Sequence, residues 1–127
     1  MQSNSKMEDS GLDYHRDGFY DSLDLPEYYV NEANASSFFE RENKTLIPIL
    51  FNACKKGIED DLLNIPVFRL YVVTGEANAV PYVTMVIRRN MFEVTLQKCV
   101  EYYESTEQYE KCQECVNLIK KFNSENI

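Results

Sequence analysis

Two amphipathic stretches, separated by a short polar break, occupy the C-terminal part of the chain. Apolar side chains recur at helical spacing in the first stretch, over residues 90–104, and again in the second. The first set is Phe92, Leu96, Cys99, Val100 and Tyr103, and the second is Tyr109, Cys112, Val116, Ile119 and Phe122. Asn90 and Glu93 form a capping-box pattern, and Ser105 or Thr106 can cap the second helix. Because so short a connection makes consecutive helices antiparallel, the sequence predicts a C-terminal αα-hairpin.

An amphipathic helix and a β-hairpin are predicted ahead of this αα-hairpin. Apolar residues repeat every four positions over residues 46–63, where Gly57 weakens the helix and can divide it into two pieces. The repeating residues are Leu46, Leu50, Cys54, Ile58 and Leu62. Residues 67–74 and 80–87 are rich in β-branched and aromatic side chains, and residues 75–78 between them have turn chemistry.

The negative charge of the chain is concentrated before residue 44. The net charge is −8, and residues 1–43 carry ten carboxylates against three basic side chains. Residues 44–127 carry eleven carboxylates against ten basic side chains and are therefore almost neutral. The acidity thus belongs to the N-terminal segment and not to the part with the clear helix and strand patterns.

The N-terminal segment has the pattern of an arm. Its leucines and aromatic residues up to Pro26 have spacings that fit neither a helix nor a strand, although a purely solvated tail would lack them. A short helix over residues 35–42, capped by Asn34, is predicted after them. We therefore predict an α+β fold: a small compact domain over residues 44–127, preceded by an acidic, extended, partly irregular arm over residues 1–43. The arm is expected to pack on this domain or on a neighbouring subunit.

Composition and charge exclude several classes of protein. No apolar run approaches the roughly 18 residues that cross a bilayer, and the first residues do not resemble a signal peptide. We therefore expect a cytoplasmic protein with reduced thiols and no membrane contact. Direct nucleic-acid binding is not expected, because binding to phosphates requires a surplus of Lys and Arg.

Cys112 and Cys115 have the spacing of metal-binding and thiol-exchange motifs. A structural zinc site needs four ligands, and the other soft donors, Cys54, Cys99 and His15, do not form a second closely spaced pair. The pair also lies inside an amphipathic helix, where a free cysteine behaves as a small apolar side chain. Core packing is the favoured interpretation, and zinc binding and redox chemistry are the alternatives.

No set of residues has the pattern of a catalytic site. Glu59, Asp60 and Asp61 form the densest carboxylate group, but adjacent helical residues point in different directions and cannot converge on one atom. His15 has no Ser or Cys nucleophile near it in sequence, and glycine-rich phosphate loops are absent. We predict that the protein is not an enzyme and uses no metal or cofactor.

Aromatic and arginine side chains are the candidates for partner binding, because these residue types most often anchor protein interfaces. The chain contains nine tyrosines, several of them in the arm and in the αα-hairpin. The arginine pair after the second strand can also bind a phosphate or a carboxylate. The candidate partner-binding residues are Phe19, Tyr20, Tyr28, Tyr29, Arg88, Arg89 and Tyr102.

The C-terminal residues carry two resemblances. Residues 96–112, including Tyr109-Glu110-Lys111-Cys112, and the following Leu118-Ile119-Lys120-Lys121 resemble the UVR motif, a helical hairpin that serves as a protein-docking element in excision-repair proteins. The same hairpin ending resembles small proteins of bacteriophages that infect Bacteroides-type hosts, including crAss-like phages. The resemblance implies an accessory or virion protein of such a phage.

These observations together predict a non-enzymatic protein–protein interaction module. The most specific expectation is a phage structural or assembly accessory protein, found in the host cytoplasm or the virion. Its partner would be a phage structural subunit or another copy of the chain. The alternative is an acidic DNA mimic that inhibits a nucleic-acid-binding protein of the host, because spaced carboxylates can imitate phosphates.

Overall fold

The computed structural model describes residues 12–15, 18–31, 33–73 and 82–125, which form a four-stranded sheet and four helices. Short 3-10 turns, Ala35–Ser37 and Arg89–Met91, lead into the first and third helices. The predicted α+β class with a C-terminal helix pair is confirmed. In chain order the elements are β1 (Asp13–His15), β2 (Glu27–Asn31), α1 (Phe38–Arg41), α2 (Asn43–Glu59), β3 (Asn64–Val73), β4 (Tyr82–Arg88), α3 (Phe92–Ser105) and α4 (Tyr109–Glu125).

The sheet is built around the antiparallel pair β3 and β4. Its strand order is β1-β4-β3-β2, in which β1 is antiparallel to β4 and β2 is parallel to β3. The register of β3 against β4 shifts between Pro66 and Phe68, because a proline has no N–H to donate to the ladder and favours such an irregularity. The predicted turn at residues 75–78, and Pro81, lie outside the described residues.

The helices cover one face of this sheet, and the main core lies between the two layers. Successive strand residues point to opposite faces, so alternate side chains of β3 and β4 enter this core. Phe68, Met85 and Ile87 are completely buried there against Leu46, Phe92 and Leu96 of the helices. Burial of a large apolar side chain contributes roughly 1.5–3 kcal/mol, so this layer supplies most of the stabilisation.

The helix that begins at Asn43 differs from the prediction at both ends. It starts three residues earlier than predicted, at Asn43, and ends at Glu59, so that Pro48 lies inside the helix and not in its first turn. The burial of Leu46 and Ile47 holds this first turn in place. The helix is also continuous across Gly57, where a Cβ atom would lie 2.5 Å from Phe92 Cζ. Glycine is needed there because α2 and α3 approach closely.

The buried face of α4 is rotated relative to the prediction. Cys115, Ile119 and Phe122 are buried at the i, i+4, i+7 spacing, whereas Tyr109, which was predicted to be buried, is 64% exposed. Tyr109 is the first residue of α4, at the exposed N-terminal end of the helix. Cys112 and Val116 are half-buried at the border of this face.

The predicted helix caps are wrong, because the Asn34, Ser105 and Thr106 side chains bond to other backbone groups and Asn90 does not directly precede its helix. The Asn34 side chain accepts a hydrogen bond from the Asn31 backbone amide, 3.0 Å away, and makes no bond to the turn that it precedes. Asn90 lies within a 3-10 turn. The Thr106 hydroxyl donates back to the Tyr102 carbonyl at the end of α3, 3.1 Å away, and so does not cap α4.

The described part of the predicted arm shares the sheet and the core with the rest of the chain. It supplies β1, β2 and α1, and its residues Leu12, Val30 and Phe38 are buried in the common core. The expectation that apolar residues up to Pro26 fit no strand is therefore wrong for β1, and β2, which begins at Glu27, was not predicted. Residues 1–11, 16–17 and 32 of the arm lie outside the described residues. The described part of the arm packs on its own domain, one of the two predicted alternatives.

Candidate functional site

The face of the sheet opposite the helices, which we call the open face, carries the most distinctive side chains of the molecule. Strand alternation places on it residues that a single apolar core would not accept. Its central members are Glu27 and Tyr29 of β2, Arg69 and Tyr71 of β3, and Tyr82 and Thr84 of β4. Residues 18–25, which we call the crossing loop, lie over part of this face and connect β1 at one edge to β2 at the other.

Arg69 fastens the crossing loop to the sheet. Its guanidinium Nη2 donates to the backbone carbonyls of Tyr20, Asp21 and Leu23 at 2.9, 3.1 and 2.7 Å, and its Nη1 pairs with the Glu27 carboxylate at 3.4 Å. The Arg69 side chain is therefore almost fully buried, as is its cross-strand neighbour Thr84. A planar guanidinium suits this role, because its five N–H donors diverge and stay charged.

The crossing loop is itself folded into tight turns. The Asp21 amide donates to the Gly18 carbonyl at 3.0 Å, and the Leu23 amide donates to the Tyr20 carbonyl at 3.1 Å. Gly18 has a φ of +75°, which glycine adopts at no steric cost. The three carbonyls that bind Arg69 are thus presented together by the local backbone.

Three tyrosines stand side by side on the open face, and we call them the tyrosine row. Tyr29, Tyr71 and Tyr82 are direct cross-strand neighbours on β2, β3 and β4. Tyr29 stacks on Tyr71 with ring centroids 4.7 Å apart and an angle of 15°, and Tyr71 lies 5.2 Å from Tyr82. Tyr29, at the outer end, is 61% exposed. An exposed aromatic row of this kind is a preformed and rigid contact surface.

Carboxylates surround the hydroxyl ends of the tyrosine row. The Tyr71 hydroxyl donates to Glu27 Oε2 at 3.2 Å, and the Tyr82 hydroxyl donates to Asp21. The hydrogen bond to Asp21 is the main cause that raises the pKa of Tyr82. Desolvation and the neighbouring Glu27 charge raise the pKa of Tyr71. Both phenols therefore stay protonated, in a local field that is negative.

Phe19, Tyr20 and Tyr29, predicted to bind a partner, meet the open face. Phe19 and Tyr20 belong to the crossing loop, where their rings lie edge to face 4.9 Å apart, and Tyr20 also contacts His15. Tyr29 belongs to the tyrosine row. Sequence reasoning found these three residues, but it assigned no role to Arg69.

Of the other four predicted residues, Arg88 lies on the open face at its β1 edge, and the remaining three lie elsewhere. Tyr28 faces the helices and packs on Phe68 with centroids 5.4 Å apart. Arg88 forms an ion pair with Asp13 across β4 and β1. Arg89 pairs with Asp61 at 3.1 Å, and Tyr102 lines a cavity between the helices. The structure thus divides the predicted set among the open face, the core and the ends of helices.

Arg89 links two parts of the helical layer, the residues that follow α2 and the helix α4. Its Nη1 donates to the Leu62 carbonyl at 3.1 Å, and its guanidinium carbon lies 5.2 Å from the centroid of the Phe122 ring. It thereby ties the connection between α2 and β3 to α4. This set of contacts gives Arg89 a structural role.

A shallow cavity of about 310 Å³ lies where α2, α3 and α4 meet. Its charged lining residues are Lys44 and Lys111, and Lys111 Nζ lies 4.9 Å from the Phe51 ring centroid and 3.5 Å from Glu114 Oε1. The remaining lining residues are Pro48, Asn52, Tyr102, Tyr103 and Gln108. The Glu114 carboxylate partly offsets the Lys111 charge at the cavity.

Three cysteines meet inside the helical layer. Cys54, Cys99 and Cys115 come from α2, α3 and α4 and are completely buried, whereas Cys112 is half-buried. Burial raises the pKa of the Cys54 thiol, and a hydrogen bond with Cys115 together with burial raises that of Cys99. All four thiols are free. Cys115 thus packs as the favoured interpretation predicts, and Cys112 borders the core.

The carboxylates considered for catalysis are solvated helix-end groups. Asp60 pairs with Lys56 at 3.1 Å, and Asp61 pairs with Arg89. Both acids lie at the exposed end of α2. Within the described ranges, no three or more His, Cys, Asp or Glu side chains are arranged to hold a metal ion.

Known proteins show no significant similarity to this chain. The chain matches no protein-family model, and no curated protein or solved structure is significantly similar to it. In the part of the chain that the structure describes, no helix combines the length and the apolar character needed to span a bilayer.

Proposed function

We propose that this chain is a non-enzymatic protein–protein interaction module whose partner docks on the tyrosine row. The observation that supports this most directly is the register of three tyrosines across three strands on an exposed face. Tyrosine rings bury large areas at a low cost in side-chain entropy, and they are enriched among the residues that dominate binding energy. Their fixed stacking means that little order has to be imposed when a partner binds.

Within this class, we propose an accessory role in phage structure or assembly. The support for this narrower role is the resemblance of the C-terminal hairpin to small phage proteins and to a docking hairpin. The partner is then a phage structural subunit or a second copy of the chain, and the protein works in the host cytoplasm or in the virion.

The DNA-mimic alternative has weaker support. A mimic needs carboxylates that are free to face the basic groups of its target. Asp13 and Glu27, which lie on the open face, are each paired with an arginine of this protein, so few uncompensated carboxylates remain there for such an array. The tyrosine row, in contrast, has an exposed ring surface.

Site-specific photo-crosslinking tests the proposal. A photoreactive phenylalanine analogue replaces Tyr29 in the full chain, and a matched control carries the same analogue at Tyr109, which is equally exposed (61% against 64%) but lies on α4. The proteins are expressed in the native host, irradiated and analysed by mass spectrometry. A defined partner should crosslink from position 29 and not from position 109.

The reverse variants complete the test. Tyr29→Ser should abolish co-purification of the crosslinked partner, while Tyr109→Ser should retain it. Crosslinking from position 109 alone would assign docking to the αα-hairpin. An undiminished association of Tyr29→Ser with the partner would reject the open face as the docking surface.

A further inference from the structure

We infer that the segment that docks on the tyrosine row is a basic peptide, whose arginine or lysine side chains lie on the tyrosine rings. The inference rests on the proposed function and specifies the partner's chemistry. It is supported by the exposure of the rings, by the carboxylates beside them and by the state of the arginines on the same face.

The rings offer surfaces that attract cations. An aromatic ring has a negative face, and a guanidinium or ammonium placed over it is attracted, most strongly where water is partly excluded. Tyr29 stacks on Tyr71 through one ring face, and it stands on β2, an edge strand of the described sheet. Its 61% exposure leaves ring surface for a partner side chain.

The carboxylates strengthen this attraction. The Tyr71 hydroxyl donates a hydrogen bond to Glu27, and the Tyr82 hydroxyl donates one to Asp21, so each of these phenols bonds to an anion. Hydrogen-bonded groups polarise one another, which makes the two rings richer in electrons. The raised pKa of both tyrosines agrees with a negative local field. A partner with carboxylates or phosphates would be repelled here.

The cations of this face are already engaged. Arg69 is buried beneath the crossing loop, and Arg88 pairs with Asp13. Among the described residues, the open face and the crossing loop therefore present four carboxylates, Asp13, Asp21, Asp24 and Glu27, against two guanidiniums that both have partners. Asp24 is exposed. The surplus charge selects a basic partner over an acidic one.

The dimensions fit an extended segment. The two ring-to-ring steps of the row are 4.7 and 5.2 Å. Because Tyr71 lies between the other two rings, cations of a partner approach the row at its outer rings, Tyr29 and Tyr82. Alternate side chains of an extended peptide lie about 6.6 Å apart, and long flexible arginine or lysine side chains at positions i and i+2 can spread to these two rings.

A defined peptide pair tests the inference directly. One fluorescent peptide alternates arginine with serine, and the other carries citrulline, which has nearly the shape of arginine without its charge, in place of each arginine. Both are titrated with the full chain and followed by fluorescence anisotropy. The arginine peptide should bind at least about tenfold more tightly, since two cation–π contacts with nearby carboxylates add up to that ratio.

Two matched pairs of variants locate the binding. Tyr29→Ser should weaken binding of the arginine peptide by about fivefold, while Tyr109→Ser should leave it unchanged. Glu27→Gln should weaken it by a similar factor. Glu110→Gln, which removes the same charge from the exposed side of α4, should not.

Equal binding of the two peptides, or equal loss from Glu27→Gln and Glu110→Gln, overturns the inference, because either result means that charge-specific contact with the open face is absent. A partner that crosslinks from position 29 through a segment without Arg or Lys also overturns it. That last result leaves the docking surface of the proposed function intact, so the two proposals fail separately.

Discussion

Replacing Arg69 by methionine is expected to release the crossing loop and destabilise the domain by about 3 kcal/mol. A hydrogen bond from a charged group contributes about 1.5–3 kcal/mol, and the two N–H groups of Arg69 Nη2 are shared among the carbonyls of Tyr20, Asp21 and Leu23. The full sum is not expected, because the carbonyls of a surface loop regain water when the loop opens. The Glu27 pair adds little, since the Glu27 side chain is 42% exposed.

Methionine is the appropriate substitution because it keeps most of the aliphatic volume of arginine, so the packing change is small. Urea denaturation of Arg69→Met and wild type gives the difference in the free energy of unfolding. Limited chymotrypsin digestion of the native proteins reports the loop, because the backbone around Phe19, Tyr20 and Leu23 must detach and open locally before a protease can cleave it. Cleavage at these residues should be faster in Arg69→Met.

Arg41→Met is the matched control, because Arg41 also donates to a backbone carbonyl, that of Asn34 at 2.9 Å, but from an exposed position. It should cost less than about 1 kcal/mol, as surface substitutions usually do. If Arg69→Met costs no more than this control and the loop is cleaved at the wild-type rate, then Arg69 does not fasten the loop. The position of the crossing loop over the open face would then not depend on Arg69.

Three further expectations follow from other contacts. Gly57→Ala should destabilise the domain by about 1–3 kcal/mol in urea denaturation, because its Cβ would overlap the Phe92 ring; an unchanged midpoint would contradict the close packing. In native protein a thiol reagent should label Cys112 alone, with the buried thiols reacting only after unfolding, and fast labelling of more than one thiol would refute this. Desolvation raises the pKa of Asp13, but hydrogen bonds from Arg88 and from the Tyr14 backbone amide have the larger combined effect. The pKa of Asp13 is therefore lowered from its ordinary value of 3.8. The pair therefore stabilises the fold above that pH and is lost as the pH falls. Asp13→Asn should reduce the drop in stability between neutral and acidic solution, and an identical drop would exclude this role.

The helical layer could be read from the sequence because its signal is local. Ile119 and Phe122 recur at helical spacing and are buried, and the polar break before Tyr109 correctly separates α3 from α4. Cap positions were less predictable. Asn34 and Thr106 have side chains that suit several backbone groups within reach, and the sequence does not decide among them.

The open face could not be predicted, because its contacts join residues that are far apart in sequence. Tyr29 pairs with Tyr71 through a parallel ladder, and no local pattern specifies which strand β2 joins. The alignment of Tyr71 with Tyr82 depends on the register of β3 and β4. Arg69 looks like a single charge within an apolar strand, and its partners are backbone carbonyls, which have no sequence signature.

The strand order has a consequence for the folding pathway. Both edge strands come from the N-terminal segment: β1 pairs with residues about 70 positions later (Asp13 with Val86), whereas the central strands are joined directly to one another. Because closing long loops is slow, we expect β3 and β4 to form first with the helices, and the segment synthesised first to add to the sheet last. Pulse-labelled hydrogen exchange during refolding should therefore protect the amides that bond β3 to β4 before those that bond β2 to β3. Until then, both margins of the central pair stay open to other chains.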